Sequence, residues 1–372
     1  MHFNLSEERQ MLKDTIERFL SDNYGKIKNH HEYSTLNEGY NVKIWNESSD
    51  IGMIGGLVSP KYNGLGGSGE DIMIIFELIG KYLCVEPFLS TGLMSSTALI
   101  SCGSNSNELL EEIISGKKII SFCHSEIESR YDETLVKVNA TKNNNLWYID
   151  GKKSFVLNGD QANIFIVSAR IKGNTSDKNG IGIFKVEAKN SNIRSYNTID
   201  GYRCSEVTFN NVPGELLCSD EKAYECILET IYAGALAVSS EAIGIMQKCF
   251  DLTIDYLKTR TQFGKTIGSF QALQHRMVDL MIEIEQAKSS VMLAAGTYNS
   301  EKLIKYKNIS AAKNLVGRVG KLVAEECIQL HGGIGMTWEY NLHNFAKRLV
   351  MIDHLMGDSD HHLEKFKIYN SY

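Results

Sequence analysis

The chain has 372 residues, enough to bury a large core, and this length predicts two or three domains. The formal net charge is −6, so the composition gives no electrostatic argument for nucleic-acid binding. No apolar run reaches the roughly 18 residues that a membrane span needs, and the polar start MHFNLSEERQ does not read as a signal peptide. Eight cysteines are scattered without a CxxC pair, which predicts reduced thiols in a cytoplasmic protein.

The first part of the chain, residues 1–115, is predicted to be a helical domain. Ser6 is a candidate N-cap, with two glutamates in the following turn. The turn-rich run from Pro60 to Gly69 marks a connection between helices. The stretches 70–84 and 90–102 are strongly apolar, so we expect two buried helices there.

The pattern changes near residue 118, where short β-type runs alternate with turns rich in Asn and Gly. These runs are Ile119–Cys123, Thr134–Val138, Leu146–Ile149, Ser154–Leu157, Ile164–Val167, Ile181–Phe184 and Ser205–Pro213. They predict an all-β middle domain over residues 116–215, built as a barrel or a sandwich. The remainder, 216–372, is predicted to be helical.

The C-terminal part is organised around the stretch from Tyr232 to Asp279. Two long helical patterns, the second running from Ser269 towards Asn299, flank the connector Arg260–Gly268. This connector holds a fixed cation, an aromatic ring and two glycines, which suits the presentation of Arg260 to a phosphate. The alternative is that the arginine only favours the dipole of the helix that it ends.

A second glycine-rich motif, His331-Gly-Gly-Ile-Gly335, follows a helical pattern rather than a strand. No GxGxxG follows a strand, so the sequence does not predict a Rossmann dinucleotide site. Taken alone, these glycines read either as a helix C-cap and turn or as a close approach of backbone to a ligand.

The pattern R-x-x-F-G-x-x-I-x-x-F-Q from Arg260, together with Gln329-Leu-His-Gly-Gly-Ile-Gly335 and the loop Pro60–Gly69, resembles the acyl-CoA dehydrogenase family of flavoproteins. The resemblance implies an α+β multidomain fold, with an N-terminal helical domain, a middle β-barrel or sandwich domain and a C-terminal four-helix-bundle domain. It also implies FAD, held where the two motifs meet across subunits. The residues that it assigns to FAD are Arg260, Thr261, Gln262, Phe263, Phe270, Gln271, Gln329, Leu330, Gly332 and Gly333.

The sequence departs from the family at the catalytic base. The usual glutamate of a Glu-Gly pair is replaced in Met356-Gly357, and the position of an alternative base is Gly234. Two carboxylates remain as candidates. Glu241 lies in an apolar run two helical turns after Gly234, where burial would raise its pKa; the competing interpretation is a structural glutamate. Asp358 follows Gly357, and there the competing interpretation is a helix cap.

Other departures concern the flavin ring and the histidines. Phe155 stands where the family has a tryptophan and can still stack on an isoalloxazine, whereas Leu157 offers no side-chain donor. Cys123-His-Ser-Glu-Ile127 replaces another flavin-contacting run of the family. The adjoining pair His361 and His362 lacks helical ligand spacing to a further histidine, so we expect no metal site. Either ring could orient substrate or carry a proton, and the competing and favoured interpretation is a surface pair. These departures resemble the divergent subgroup in which two unlike subunits often share one site.

Three functions follow. The first is an FAD-dependent enzyme that desaturates an acyl-CoA at Cα–Cβ and passes electrons to an electron-transfer flavoprotein, as a homotetramer or an α2β2 heterotetramer. The second is a non-catalytic FAD-binding subunit of such a heterotetramer. The third is a flavin-free binding or scaffold protein, against which the retained Arg260, Gln271 and Gly332 argue.

Overall fold

The computed structural model describes residues 5–26, 28–103 and 106–371 of the chain. Helices occupy both ends of the sequence and strands occupy the middle, which confirms the predicted fold class. The helices are α1 (Glu7–Tyr24), α2 (Asn29–Ser34), α3 (Val42–Asp50), α4 (Gly69–Tyr82), α5 (Ser96–Cys102), α6 (Asn107–Ile114), α7 (Glu221–Thr259), α8 (Gln271–Gly296), α9 (Lys302–His331), α10 (Leu342–His354) and α11 (Ser359–Asn370). The strands are β1 (Ile120–Cys123), β2 (Asn139–Asn143), β3 (Leu146–Leu157), β4 (Ile164–Arg170), β5 (Ile181–Glu187), β6 (Asn192–Asn197), β7 (Arg203–Ser219), β8 (Thr261–Gln262) and β9 (Lys265–Thr266).

The described residues form two compact units. Unit 1 contains the chain up to Glu32, Ser68–Cys84 and the chain from Ala235 onward. Unit 2 contains Tyr33–Gly67 and Val85–Gly234. The helices before residue 115 are therefore divided: α1 and α4 belong to unit 1, whereas α3, α5 and α6 belong to unit 2.

The sheet of unit 2 is a closed barrel. Its strands follow the order β1-β4-β2-β3-β7-β5, with β6 paired to β7. Because β5 also pairs with β4, the ladder β4-β2-β3-β7-β5 returns to its first strand. Of the two predicted forms, barrel and sandwich, the structure has the barrel. Its buried core contains Cys123, Val138, Ala140, Ile149, Val156, Phe165, Val167, Ala169, Phe184, Val186, Ala188, Val207, Phe209 and Val212.

One sequence prediction in this region is wrong in detail. The run Thr134–Val138 is not a strand, and β2 begins only at Asn139. The carboxylate of Glu126 accepts hydrogen bonds from the backbone N–H groups of Lys137 and Val138, at 3.0–3.1 Å, and so takes the place of a neighbouring strand. Strand β7 runs on to Ser219 and the next helix begins at Glu221, while the boundary of the middle domain at 215 stays a prediction.

Helix α7 has 39 residues and a strongly apolar centre. By length and composition, an 18-residue window of α7 is apolar enough to cross a membrane, which the sequence analysis did not identify. However, 83% of that window is buried inside the protein, as in the core helix of a globular domain. In unit 1 the C-terminal helices pack around α9, which contacts α8, α10 and α11.

Two glycines allow α4 and α7 to approach each other at backbone distance. A Cβ atom added at Gly80 would lie 1.9 Å from the carbonyl oxygen of Glu241, and one added at Gly244 would lie 1.9 Å from that of Glu77. Carbonyl oxygens of a helix cannot rotate away, so any larger residue forces the two helices apart. This close crossing fixes the part of α7 that carries Glu241.

We expect Gly80→Ala to lower the free energy of unfolding by about 1–3 kcal/mol, the usual cost of overpacking. The matched control is Gly320→Ala in α9, where the added Cβ would meet Leu349 Cδ2 at an ordinary 3.5 Å. That control gains helix propensity of about 1 kcal/mol and should be neutral or stabilising. Urea unfolding at equal protein concentration measures both, and equal stability of the two variants would contradict the close crossing.

Candidate functional site

The connector between α7 and α8 is a short hairpin on the surface. Strand β8 pairs with β9, and the turn residues Phe263 and Gly264 have φ values of 56° and 78°. Two successive left-handed residues indicate a type I′ turn, in which asparagine, aspartate and glycine are usual. Phenylalanine is a strained choice there, and its side chain is 90% exposed. A strained backbone that holds an aromatic ring in solvent indicates a contact surface rather than a core position.

Positive charge is concentrated around this hairpin. Arg260 follows the last residue of α7, is exposed, and makes no ion pair with any residue that the structure describes. The Lys265 ammonium lies 4.3 Å from the centroid of the Phe270 ring. Helix α8 begins at Gln271 without a side-chain cap, so its first backbone N–H groups are available. A guanidinium, an ammonium and a helix N-terminus together favour an anionic group such as a phosphate.

The second motif lies at the end of α9. Gly332 caps the helix with φ 64°, so the C-cap that the sequence allowed is present. Added Cβ atoms at Gly332 and Gly333 would meet nothing within 4 Å, and both glycines are exposed. The turn therefore presents bare backbone to the surface, where another molecule can approach closely.

Three aromatic rings connect the two motifs within one chain. His331, which ends α9, stacks on Tyr256 with ring centroids 4.5 Å apart, and its ring lies 4.9 Å from that of Tyr340. Its Nδ1 lies 2.8 Å from the carbonyl oxygen of Cys327. Burial lowers the pKa of His331, so the ring is neutral at pH 7. Tyr256 was not predicted from the sequence, although it lies one helical turn before Arg260.

Most of the residues that the resemblance assigned to FAD lie at the surface of unit 1, and this assignment stays a prediction. Phe270 is half-buried and Leu330 is buried, with 6% of its surface exposed. The exposed members are Arg260, Thr261, Gln262, Phe263, Gln271, Gln329, Gly332 and Gly333.

Glu241, the first candidate base, forms a buried bidentate ion pair with Arg348 of α10. Arg348 Nε donates to Oε1 at 2.6 Å and Nη2 donates to Oε2 at 2.9 Å. The two side chains are 1% and 5% exposed. Such a pair is the arrangement of a structural carboxylate, since both oxygens are held by one fixed cation. Glu241 as a base stays a prediction, and the structural alternative now has a named partner.

Asp358, the second candidate, caps helix α11. Its Oδ1 accepts a hydrogen bond of 2.8 Å from the backbone N–H of His361, and its backbone is extended, as an N-cap requires. The capping role that the sequence allowed is therefore present in the structure. Asp358 as a base also stays a prediction.

The turn that carries Met356 and Gly357 has a left-handed backbone. Their φ values are 57° and 103°. The buried ammonium of Lys313, on α9, donates to the carbonyl oxygens of Gly357 at 2.7 Å and of Asp353 at 3.0 Å. Burial lowers the pKa of Lys313 to about 8, while the carboxylates of Asp353 and Asp358 oppose the shift. Hydrogen bonds from Lys313 therefore fix the Met356 turn. Lys313 was not predicted as a site residue, although it shares the helical stripe of Ile309, Val316 and Gly320.

The predicted surface pair of histidines is wrong for His362, which is 1% exposed. Its Nε2 lies 2.8 Å from the carbonyl oxygen of Met356, and its Nδ1 lies 3.4 Å from Ser310 Oγ. The helix packs this face of α11 against α9, which a local sequence pattern does not show. Burial lowers the pKa of His362 well below its ordinary value, and the nearby Lys313 adds to that shift. His362 therefore adds a second fixed contact to the Met356 turn.

In unit 2, Phe155 lies at an irregularity of β3. The register with β7 shifts between Lys153 and Val156, and Phe155 has φ 54°. A bulge of this kind changes the direction in which a side chain points, and bulges occur often beside functional sites. The preceding residue, Ser154, donates its N–H to the carbonyl oxygen of Ser125 at 2.9 Å. The bulge is thereby fixed to the segment that follows β1.

A buried ion pair supports the same segment. Lys153 Nζ donates to Glu126 Oε1 at 2.8 Å, to the carbonyl oxygen of His124 at 2.8 Å and to Ser168 Oγ at 3.0 Å. Burial lowers the pKa of His124 to about 3, so its ring is neutral, and its Nδ1 lies 2.9 Å from Ser168 Oγ. This network was not predicted, because Lys153 follows another lysine and the pair has the pattern of an exposed doublet. It anchors the run Cys123–Ile127 beside Phe155.

Three family models match successive parts of the chain. They describe the N-terminal domain of acyl-CoA dehydrogenases at residues 6–117, the middle domain at 121–212 and the C-terminal domain at 224–366. The chain belongs to the acyl-CoA dehydrogenase family. The matched order also confirms a three-domain architecture of helical, β and helical parts.

Curated acyl-CoA dehydrogenases align over almost the whole chain. "Probable short/branched chain specific acyl-CoA dehydrogenase" of Dictyostelium discoideum is 29% identical, over 92% of this chain and 85% of its own length. "Probable acyl-CoA dehydrogenase YngJ" of Bacillus subtilis is 26% identical, over 97% of both chains.

Solved structures of the family share the fold. Butyryl-CoA dehydrogenase from Megasphaera elsdenii superimposes with a TM-score of 0.85 at 22% identity, over 100% of both chains. The ChsE4-ChsE5 complex from Mycobacterium tuberculosis contains a chain with a TM-score of 0.87 at 19% identity, over 100% of this chain and 99% of that one.

Proposed function

We propose that this protein is an FAD-dependent acyl-CoA dehydrogenase, which desaturates an acyl-CoA thioester between Cα and Cβ and passes electrons to an electron-transfer flavoprotein. The observation that carries the proposal is the pair of exposed motifs in unit 1. Arg260, which makes no ion pair within the described part of the chain, stands beside a helix N-terminus that has no side-chain cap, and the Gly332–Gly333 turn offers bare backbone. This is the donor set that the pyrophosphate of a dinucleotide cofactor requires.

FAD, when bound, supplies the hydride acceptor of the reaction. Arg260 would bind its pyrophosphate, and the hairpin and the Gly332 turn would hold the adenine end. Phe155 would stack on the isoalloxazine, with its ring oriented by the bulge in β3. Leu157 has no side-chain donor, so hydrogen bonds to the flavin ring would come from backbone N–H groups.

The proposed assembly is a homotetramer or an α2β2 heterotetramer, in which a neighbouring chain completes each FAD site. The exposed Phe263 at the tip of the hairpin supports this assembly, since a strained and exposed ring suits an interface. Closed symmetry of two-fold type is the usual form of such oligomers. We further propose a cytoplasmic location, supported by eight buried cysteines whose spacing includes no CxxC pair.

A second candidate function is a non-catalytic FAD-binding subunit of a heterotetramer. It is favoured by the site of the base itself: Met356 replaces the family's glutamate, Glu241 is paired with Arg348, and Asp358 caps α11. In this case, an unlike partner chain would supply the carboxylate that removes the α-proton. The chain would then contribute FAD contacts and a fold partner.

Purification of the protein alone, followed by a screen of acyl-CoAs with an artificial electron acceptor, tests these proposals. Bound FAD and turnover support the enzyme, with light scattering reporting its assembly. Bound FAD without turnover supports the non-catalytic subunit. A colourless protein that takes up no FAD contradicts both and supports the flavin-free scaffold.

We expect Arg260→Ala to weaken FAD binding by about 10- to 150-fold, because a charged hydrogen bond contributes about 1.5–3 kcal/mol. Flavin content and the dissociation constant are measured on the apoprotein reloaded with FAD. The control is Lys258→Ala, which removes an exposed basic residue from the last turn of the same helix. If Arg260→Ala and Lys258→Ala bind FAD equally well, Arg260 does not contact the cofactor.

A further inference from the structure

Three cysteines from three elements of unit 2 meet in one cluster, which we call the thiol cluster. Cys102 ends α5, Cys218 lies in β7 and Cys226 lies near the start of α7. The Sγ atoms of Cys102 and Cys218 are 2.9 Å apart, and those of Cys102 and Cys226 are 3.6 Å apart. The three residues are 2%, 8% and 0% exposed, respectively. Cys102 is therefore in contact with both other thiols.

The cluster is neither a metal site nor a set of inert core thiols. Among the residues that the structure describes, no group of three or more His, Cys, Asp or Glu side chains is arranged to hold a metal ion. Cys249, by contrast, is a buried thiol whose pKa is raised by burial, as expected for an unreactive core position. The thiol cluster differs because its sulfur atoms contact one another and because a cation lies nearby.

Cys218 is the one thiol of the cluster whose pKa is lowered by its surroundings. Its hydrogen bonds with Cys102 and Cys226, together with the Lys222 ammonium, lower the pKa of the Cys218 thiol despite its burial. The pKa of Cys102 is raised, chiefly by its hydrogen bond with Cys218 and also by burial. Lys222 lies in the first turn of α7, on the helix that also carries Cys226. A thiolate beside a cation is the reactive form of cysteine.

We propose that Cys102 and Cys218 form a reversible oxidation site, in which a peroxide converts the two thiols into a disulfide. Cys218, the most exposed of the three, attacks one peroxide oxygen, the O–O bond breaks, and a sulfenic acid forms with release of water. The Cys102 sulfur then attacks the sulfenic sulfur, an S–S bond forms, and a second water leaves with the Cys102 proton. Two thiols lose two electrons in total, and the peroxide is reduced to water.

An external dithiol gives the site a route back. One of its thiolates attacks a sulfur of the Cys102–Cys218 bond, and its second thiol then displaces that cysteine, so that both protein thiols are restored and the reagent leaves as a disulfide. The bond would join positions 116 residues apart, linking the end of α5 to β7. A cross-link over a loop of that length restricts the unfolded chain and should raise the melting temperature.

The experiment treats the purified protein, with any cofactor that it carries, with a small excess of hydrogen peroxide. We expect the intact mass to fall by two hydrogen atoms, peptide mapping to join the peptides of Cys102 and Cys218, and dithiothreitol to restore the original mass. The control Cys249→Ala removes a buried thiol outside the cluster and should lose the same two hydrogens. Cys226→Ser should still form the Cys102–Cys218 bond.

Cys102→Ser should stop at the sulfenic acid on Cys218, which dimedone traps as an adduct. The wild-type peptide map needs no variant, so it decides the question even if Cys102→Ser fails to fold. An unchanged wild-type mass, a disulfide that joins any other pair, or a loss of two hydrogens in Cys102→Ser would each overturn the proposal. These outcomes are independent of acyl-CoA turnover.

Discussion

Glu241→Gln is expected to lower the free energy of unfolding by about 3–5 kcal/mol, because it removes a charged, bidentate partner from the buried guanidinium of Arg348. Arg348 is 4% exposed, so water cannot replace the lost carboxylate. Urea unfolding at fixed protein and FAD concentrations measures the effect. The control is Glu326→Gln, which breaks the partly exposed pair with Arg276 in the same group of helices. That pair should contribute at most about 1 kcal/mol.

The same variant separates the two roles of Glu241. If Glu241 were the general base, Glu241→Gln would lower turnover by about 10²–10⁴-fold while the stability and the bound FAD stayed the same. If the ion pair is structural, stability falls and Arg348→Met shows a loss of similar size. A stable and inactive Glu241→Gln would therefore restore Glu241 as the base.

Met356→Glu is expected to raise turnover of acyl-CoA by about 10²–10⁴-fold, the usual contribution of a positioned general base. The change returns a carboxylate to the position that the family resemblance gives to the base. The backbone of this turn is already fixed in one conformation. Met356 and Gly357 are left-handed, and side chains of α9 and α11 hold their carbonyl oxygens. A new side chain would thus stand on a turn that needs no rearrangement.

The matched control for this variant is Met356→Gln, which has the shape of glutamate without its basicity. Turnover is measured with an artificial electron acceptor, after correction for flavin content. A Met356→Glu protein that binds FAD but is no more active than Met356→Gln would show that position 356 does not face the substrate. It would then favour a base elsewhere in the chain or in a partner.

The sequence predicted the order of helical and β parts because hydrophobic periodicity is local. The connector is a clear case: the prediction of two long helices around Arg260–Gly268 is confirmed by α7, which ends at Thr259, and α8, which begins at Gln271. The prediction of a strand at Thr134–Val138 is wrong because the hydrogen-bond partner of this segment is not set by a local pattern. Its partner is a carboxylate, Glu126, which no local pattern places there.

The site was predictable where it depends on motifs and unpredictable where it depends on distant partners. The position of Glu241 in a buried helix was foreseen, but Arg348 lies 107 residues away and carries no signal in its own segment. His362 looked exposed because its neighbours are polar, yet α11 turns it inward against Ser310. Side-chain contacts between helices far apart in sequence are what the sequence alone leaves open.

The exposed hairpin tip has a consequence for the newly made chain. Phe263 and Trp338 are 90% and 70% exposed, so two large aromatic surfaces face solvent in the single chain. Apolar surface of this kind promotes self-association before the correct partners are found. If the proposed oligomer forms, a subunit produced alone should be prone to aggregation, and its yield should rise on co-expression with the chains that complete the assembly.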